Sequence, residues 1–335
     1  MPTTRDDAPA YLLRYASRRA EPRVADDAEP AEPAFVVRAR ERATRRALEE
    51  LDQPSAPPGR TEAFARETVA PREFEWPESI RRKAATATDV RLIRHGQTQG
   101  YIADSALTPL GRWQAHRKGQ DLAKGLTEGT VARVVHAPTA RATETADALA
   151  EGLRQAVARY GISDVTITDP EPIDGFRNFQ AWFDGRELDI TAAFHDFATV
   201  LEGYERHGAG DRPGWMVELD RFWRIQFAGG DPITQWLAVP MHYVEPPAYV
   251  ARRYWQTIVE LVHDASPGGR LYVCGHSGPM RAVAAAAVGH DPGEPNNVED
   301  VRIRVHGDLE HATLTYRGRA VEMDIPTTVS PSWYC

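Results

Sequence analysis

The sequence predicts an α/β fold: a three-layer sandwich with a mostly parallel sheet, helices on both faces and an inserted cap. Three observations carry that prediction. From about residue 88, short runs rich in Val and Ile alternate with helical stretches, the pattern of strands joined by crossover helices. One run, Arg270–Gly275, is apolar enough for a strand buried on both faces. The segment 170–255 breaks the alternation and holds 16 of the 29 aromatic residues, which marks a long insertion placed over one edge of the sheet.

The elements follow in chain order. Asp89–Ile93 is the first strand. Thr108-Pro109 opens a helix running to about Lys124, with Thr as N-cap and Pro in the first helical position. Val131–His136 is the second strand, and an Ala- and Leu-rich helix spans Thr139 to Tyr160. Val165–Thr168 is a third strand and Arg270–Gly275 a fourth. Met280–Val288 is an Ala-rich helix, and Val301–Val305 and Ala312–Tyr316 close the domain as strands. These place one α/β domain over 88–320, with the cap at 170–255 inside it and a tail at 321–335. Residues 1–87 form a charged, Pro-rich extension. Its first 85 residues hold 10 of the 25 prolines and 16 charges of each sign, and Val36–Leu51 has the apolar spacing of an amphipathic helix.

Composition narrows the function. The chain has 335 residues and a net charge of −8, which argues against a nucleic-acid footprint. No run approaches the roughly 18 apolar residues of a membrane span. The first residues lack the apolar core of a secretory signal, so a cytoplasmic protein is expected. The two cysteines, Cys274 and Cys335, support neither a disulfide framework nor a zinc cluster. No cofactor and no metal are expected.

Four segments carry chemistry: Arg94-His95-Gly96-Gln97-Thr98 after the first strand, Leu107-Thr108-Pro109-Leu110-Gly111 at a helix start, Ala137-Pro138-Thr139-Ala140-Arg141 after the second strand, and Gly275-His276-Ser277-Gly278 after the fourth. They put two histidines and two arginines at carboxyl ends of strands, where open α/β sheets bind ligands. Arginine forks bind phosphoryl oxygens bidentately at any working pH. A neutral imidazole can attack phosphorus and hold the phosphoryl group covalently. A second, protonated imidazole can stabilise charge on the equatorial oxygens.

Taken together the segments resemble the histidine phosphatase superfamily, its phosphoglycerate-mutase-like branch, over about residues 88–320. The resemblance implies that His95 is the phosphorylated nucleophile, that Arg94 and Arg141 bind the phosphoryl group, and that His276 is the second pocket histidine. It puts Gln97 and Thr98 at the pocket edge and offers a backbone amide of Ser277 or Gly278 as a further donor. Tyr101 stands where sugar-phosphate members have Asn, and its phenol can bound the pocket. The general acid belongs to the segment after the third strand, where Asp174, Glu171 and Asp184 compete and Asn178 occupies the usual Glu position; Asp174 is the expected acid. Arg281 reads as a structural ion-pair partner. The activity implied is hydrolysis of a small phosphomonoester. The alternatives are a phosphoglycerate-type mutase and a non-catalytic phospho-ligand-binding module. A homodimer through cap aromatics is compatible with the sequence.

Overall fold

The structure is a computed structural model that describes residues 87–98, 105–206, 212–264, 268–326 and 333. The expected helix at Val36–Leu51, the rest of the extension before residue 87, and Tyr101 lie outside the described residues.

The described elements are β1 (Thr88–Arg94), α1 (Pro109–Ala123), β2 (Val131–His136), α2 (Ala140–Tyr160), β3 (Thr166–Ile167), β4 (Glu171–Pro172), a 3-10 turn (Asp174–Phe176), β5 (Gln180–Phe183) and β6 (Arg186–Asp189). They continue with α3 (Ile190–Arg206), α4 (Gly214–Phe227), α5 (Pro232–Ala238), α6 (Pro247–His263), β7 (Arg270–Gly275), α7 (Ser277–Val288), β8 (Asp300–Val305), β9 (His311–Tyr316) and β10 (Arg319–Asp324).

Eight strands form one sheet in the order β10-β9-β8-β1-β7-β2-β3, with β4 also pairing with β2. The β1–β7, β7–β2, β2–β3 and β2–β4 pairs are parallel. The β1–β8, β8–β9 and β9–β10 pairs are antiparallel. Because β7 sits between β1 and β2, the ends of three strands far apart in sequence lie side by side. Arg94 is level with Gly275, and His136 with Cys274.

Alternation along β1 sends Val90 and Leu92 to one face and Ile93 to the other. The Ile93 face packs on α1 and α2 through a cluster that includes Val134, Leu149, Leu153 and Tyr272. Those two helices come close because of two glycines. A Cβ on Gly119 would lie 2.1 Å from the Leu149 carbonyl oxygen, and one on Gly152 would lie 2.0 Å from that of His116. The opposite face shares a core with the insertion, including Trp223, Trp236, Trp255 and Phe197. The cap aromatics are therefore mainly core.

Inside the insertion, β5 and β6 form an antiparallel hairpin across Asp184-Gly185. Both loop residues have positive φ, 49° and 82°, the primed-turn geometry that an Asp-Gly pair favours.

Three boundaries differ from the sequence reading. The third strand shrinks to Thr166–Ile167. α7 begins at Ser277, three residues early, because a first-turn Pro279 has no N–H to lose from the helix ladder. The expected tail is sheet at its start: β10 runs to Asp324 after the tight Arg317-Gly318 turn, so residue 320 is not a boundary.

Candidate active site

The carboxyl ends of β1, β2 and β7 open into a cavity of about 350 Å³ lined by Arg94, His95, Arg141 and His276. Each arrives by a different route. His95 follows β1, its N–H held by the Gly275 carbonyl at 2.9 Å. Arg141 is in the first turn of α2. His276 is the N-cap of α7. The loop after β1 passes so close to the start of α1 that a Cβ on Gly96 would lie 2.5 Å from the Gly111 carbonyl oxygen. Behind it, the Gly96 N–H donates to Thr145 Oγ1 at 3.0 Å, and that hydroxyl donates to the Arg141 carbonyl at 2.6 Å. One buried threonine thus fixes the histidine loop against the arginine helix.

The tautomers follow from the partners. His95 Nδ1 is 2.8 Å from the Gly96 carbonyl oxygen. A carbonyl only accepts, so Nδ1 carries the proton and Nε2 keeps its lone pair. Arg141 Nε donates to His276 Nδ1 at 3.3 Å, so the His276 proton lies on Nε2, 3.4 Å from Thr139 Oγ1. The two rings meet edge to face with centroids 5.6 Å apart.

The His95 pKa is lowered to about 3, chiefly by burial and then by Arg141 and Arg94, against a raising contribution from the Gly96 hydrogen bond. Burial also holds His276 well below its ordinary value, reinforced by Arg141, His95 and Arg94. The expectation from sequence is a protonated second imidazole. In the fold, His276 is neutral and contributes an N–H, because it shares its cavity with two guanidinium groups.

Arg94 is anchored from outside the motif. Its Nη1 donates to the Pro295 carbonyl, and its Nη2 pairs with Glu294 at 3.0 Å. Its Nε is buried without a hydrogen-bond partner. Arg141 Nη2 donates to Thr191 Oγ1 at 3.3 Å. His276 makes no side-chain cap for α7, and the first N–H groups of a helix lack intrahelical partners. Ser277 and Gly278 lie on the cavity wall at that helix start, so the site offers an anion two guanidinium groups and a helix N-terminus.

The remaining expected residues divide. Thr98 lines the cavity. Gln97 does not: its side chain is exposed and accepts a hydrogen bond from Thr108 Oγ1 at 2.9 Å. Asp174 is a correction. Its side chain is 80% exposed and pairs with Arg177 at 3.2 Å, outside the cavity. The 3-10 turn points it to solvent while burying Phe176. Its two competitors fare no better. Glu171 pairs with Arg133, and Asp184 occupies the exposed hairpin tip. Arg281 is 1% exposed and clasps Asp231, Asp291 and Glu294.

Asn178, Thr191, Gln226, Asp231 and Glu294 also line the cavity. Four of them come from the insertion and Glu294 from the loop before β8. None lies in a segment that resembles a known motif except Asn178, at the usual Glu position. Among the described residues, no group of three or more His, Cys, Asp or Glu side chains could hold a metal ion. No described helix is long and apolar enough to cross a membrane.

Several solved structures are similar to this chain. A mycobacterial glucosyl-3-phosphoglycerate phosphatase is 18% identical, over 72% of this chain and 100% of that one, with a TM-score of 0.39. A phosphoglycerate mutase from Bacillus anthracis str. Sterne is 16% identical, over 71% and 94%, with a TM-score of 0.42. No curated protein matches the chain by sequence. A family model described as histidine phosphatase superfamily (branch 1) matches residues 90–161, which run from β1 through α2 and contain Arg94, His95 and Arg141. Over that segment the chain is similar to the histidine phosphatase superfamily.

Proposed function

We propose that the protein is a phosphomonoester hydrolase that works through a phosphohistidine at His95. The observation that carries this reading is the protonation state of His95. A neutral ring with its proton on Nδ1 presents a free Nε2 lone pair beside two guanidinium groups. Arg94 and Arg141 hold the phosphoryl oxygens, joined by the His276 Nε2–H and the α7 N-terminus. Nε2 attacks phosphorus, the P–O bond to the leaving group breaks, and the departing oxygen takes up a proton from solvent. Water then attacks the phosphohistidine, the N–P bond breaks, and inorganic phosphate leaves. The Gly96 carbonyl accepts the Nδ1 proton throughout and stabilises the charge that the ring acquires on phosphorylation.

Hydrolysis is preferred to a phosphoglycerate-type mutase because Asp231 and Glu294 line the same cavity as Arg94, His95, Arg141 and His276. A second acidic group on a substrate would meet two carboxylates there. The four polar groups converging on one cavity also favour catalysis over a binding-only module. A panel of phosphomonoesters, assayed for released phosphate with wild type and His95→Ala, tests the reading. Release that needs His95 supports it. Release unaffected by the substitution, or phosphoryl transfer without net release, overturns it.

A further inference from the structure

The loop between α7 and β8, residues 289–299, carries none of the motifs. It nevertheless grips the segment that bears Arg94 and His95. The Arg94 N–H donates to the Glu299 carbonyl at 3.0 Å, and the Arg94 carbonyl accepts from the Val298 N–H at 3.1 Å. Asn297 Nδ2 donates to the His95 carbonyl at 3.2 Å. The Arg94 side chain turns onto the same loop, with Nη1 on the Pro295 carbonyl and Nη2 on the Glu294 carboxylate at 3.0 Å.

The loop is itself fixed. Arg317, in the turn after β9, donates to the Pro292 and Glu294 carbonyls at 2.6 and 2.7 Å. Arg281 Nε donates to Asp291 at 3.0 Å. Val298 has a φ of 55°, a left-handed conformation that a β-branched residue rarely takes. Strain of that kind persists only where the surroundings impose it, and it clusters where placement matters for function.

Glu294 sits between two arginines. Its Oε1 meets Arg94, and its Oε2 meets Arg281 Nη1 at 3.1 Å. The Arg281 side chain is 1% exposed, and the same Nη1 binds Asp231, the N-cap of α5, at 2.7 Å. A carboxylate tied to a buried guanidinium stays in place when a longer, more exposed side chain swings, so Glu294 sets where Arg94 rests. An unanchored arginine populates many rotamers, and ordering it as a phosphoryl group arrives costs up to about tenfold in affinity. Anchoring it beforehand removes that cost.

We infer that Glu294 is a positioning residue, which orients the Arg94 guanidinium for the phosphoryl group while Arg281 holds Glu294. The inference rests on the phosphatase reading above and adds a residue that acts on the reaction through Arg94.

The test measures kcat/KM for p-nitrophenyl phosphate in wild type, His95→Ala, Glu294→Ala, Glu294→Gln, Arg94→Met and the variant combining Arg94→Met with Glu294→Ala. The Glu294 side chain is 44% exposed and Arg281 keeps Asp231 and Asp291, so the single Glu294 variants are expected to fold. Glu294→Ala should lower kcat/KM by roughly 3–10-fold. Glu294→Gln keeps the length and one acceptor for Arg94, and should lose less. In the Arg94→Met background, Glu294→Ala should change kcat/KM by less than about twofold, because the group it acts through is gone. A carboxylate that only repelled the phosphoryl group would act with the opposite sign, so a gain of activity in either single variant overturns the inference. So does a Glu294→Ala variant equal to wild type. So does a loss that persists undiminished in the Arg94→Met background, the mark of a structural role alone. With wild type turning over and His95→Ala inactive, each of these leaves the phosphatase reading standing. No turnover by wild type, or turnover unchanged in His95→Ala, overturns that reading and the inference with it.

Discussion

Arg253 is where the cap holds the site wall, and its removal has a calculable cost. The Glu245 side chain is 0% exposed and the Arg253 side chain 8% exposed. Arg253 Nε reaches Glu245 Oε1 at 3.0 Å and Nη2 reaches Oε2 at 3.2 Å. The same guanidinium donates to the carbonyls of Gly175 at 2.7 Å, Arg177 at 3.1 Å and Asn178 at 3.3 Å. Arg253→Met keeps the stem and deletes the charge. Glu245 then retains the Gln180 N–H at 3.0 Å and a long contact to Arg177 at 3.9 Å. A buried carboxylate stripped of its main partner costs about 3–5 kcal/mol, or roughly 6–20 °C in Tm for a domain of this size.

The pH dependence of that loss has a definite sign. Burial raises the Glu245 pKa, and Arg253 is the chief group opposing it. Without Arg253 the folded-state pKa rises further above the unfolded value. In the window between the two, the folded variant keeps a proton that the unfolded chain has released, so stability falls as pH rises. Urea unfolding of wild type and Arg253→Met at pH 8 and pH 5 measures this, with the deficit larger at pH 8. Adding Glu245→Gln to Arg253→Met should recover part of the loss, since no charge is then stranded. A deficit below about 1 kcal/mol, or one unchanged between the two pH values, would refute the reasoning.

Further expectations are independent of that pair. The His95 ring, with its pKa lowered to about 3, should show the NMR signature of the neutral Nδ1–H tautomer down to pH 5; a titration near 6.5 would contradict the site electrostatics. The same depression has the unfolded chain binding a proton that the folded state refuses between pH 6.5 and about 3, so stability should fall as pH drops through that window. Gly278→Ala would bring a Cβ to 2.7 Å from the Phe179 ring, and should cost about 1–3 kcal/mol in unfolding and lower activity. Asp174→Asn should leave turnover of alkyl and aryl phosphates within about twofold, because the carboxylate is solvent-facing; a loss of 10²-fold or more on alkyl esters would restore it as general acid. Turnover should survive EDTA, because Arg94 and Arg141 supply the positive charge; loss on chelation and recovery on adding a divalent metal would overturn that.

What could be read in the sequence was local. Strand runs followed by Arg-His-Gly, by Thr-Ala-Arg and by Gly-His-Ser-Gly mark residues at carboxyl strand ends, and the sheet order brings Arg94, His95, Arg141 and His276 into one cavity. The order itself, with β7 between β1 and β2, is set by packing between elements more than 100 residues apart, which no local pattern encodes. The charge state of His276 is set by the same long-range packing. Residue type suggests a cation, but burial beside two guanidinium groups decides otherwise. Asp174 is expected from its place after the third strand, and that place says nothing about which way a 3-10 turn points its side chain. Asp184-Gly185 and Arg317-Gly318 both lie in turns with positive φ. The first is a hairpin signal legible in the sequence. The cap contributions from Gln226 and Asp231 had no signature, because a cavity wall built from a helix end and a cap residue needs no repeated spacing.

The central claim is a covalent phosphoryl group on one nitrogen. Wild type mixed with a ³²P-labelled phosphomonoester and quenched within milliseconds into alkaline detergent, where an N–P bond survives, tests it directly. Peptide mapping should find label on His95 at Nε2 alone, at up to one equivalent, and a chase with unlabelled substrate should convert it to inorganic phosphate at the steady-state rate. Label on another residue, or full turnover with no phosphohistidine formed, would contradict the account.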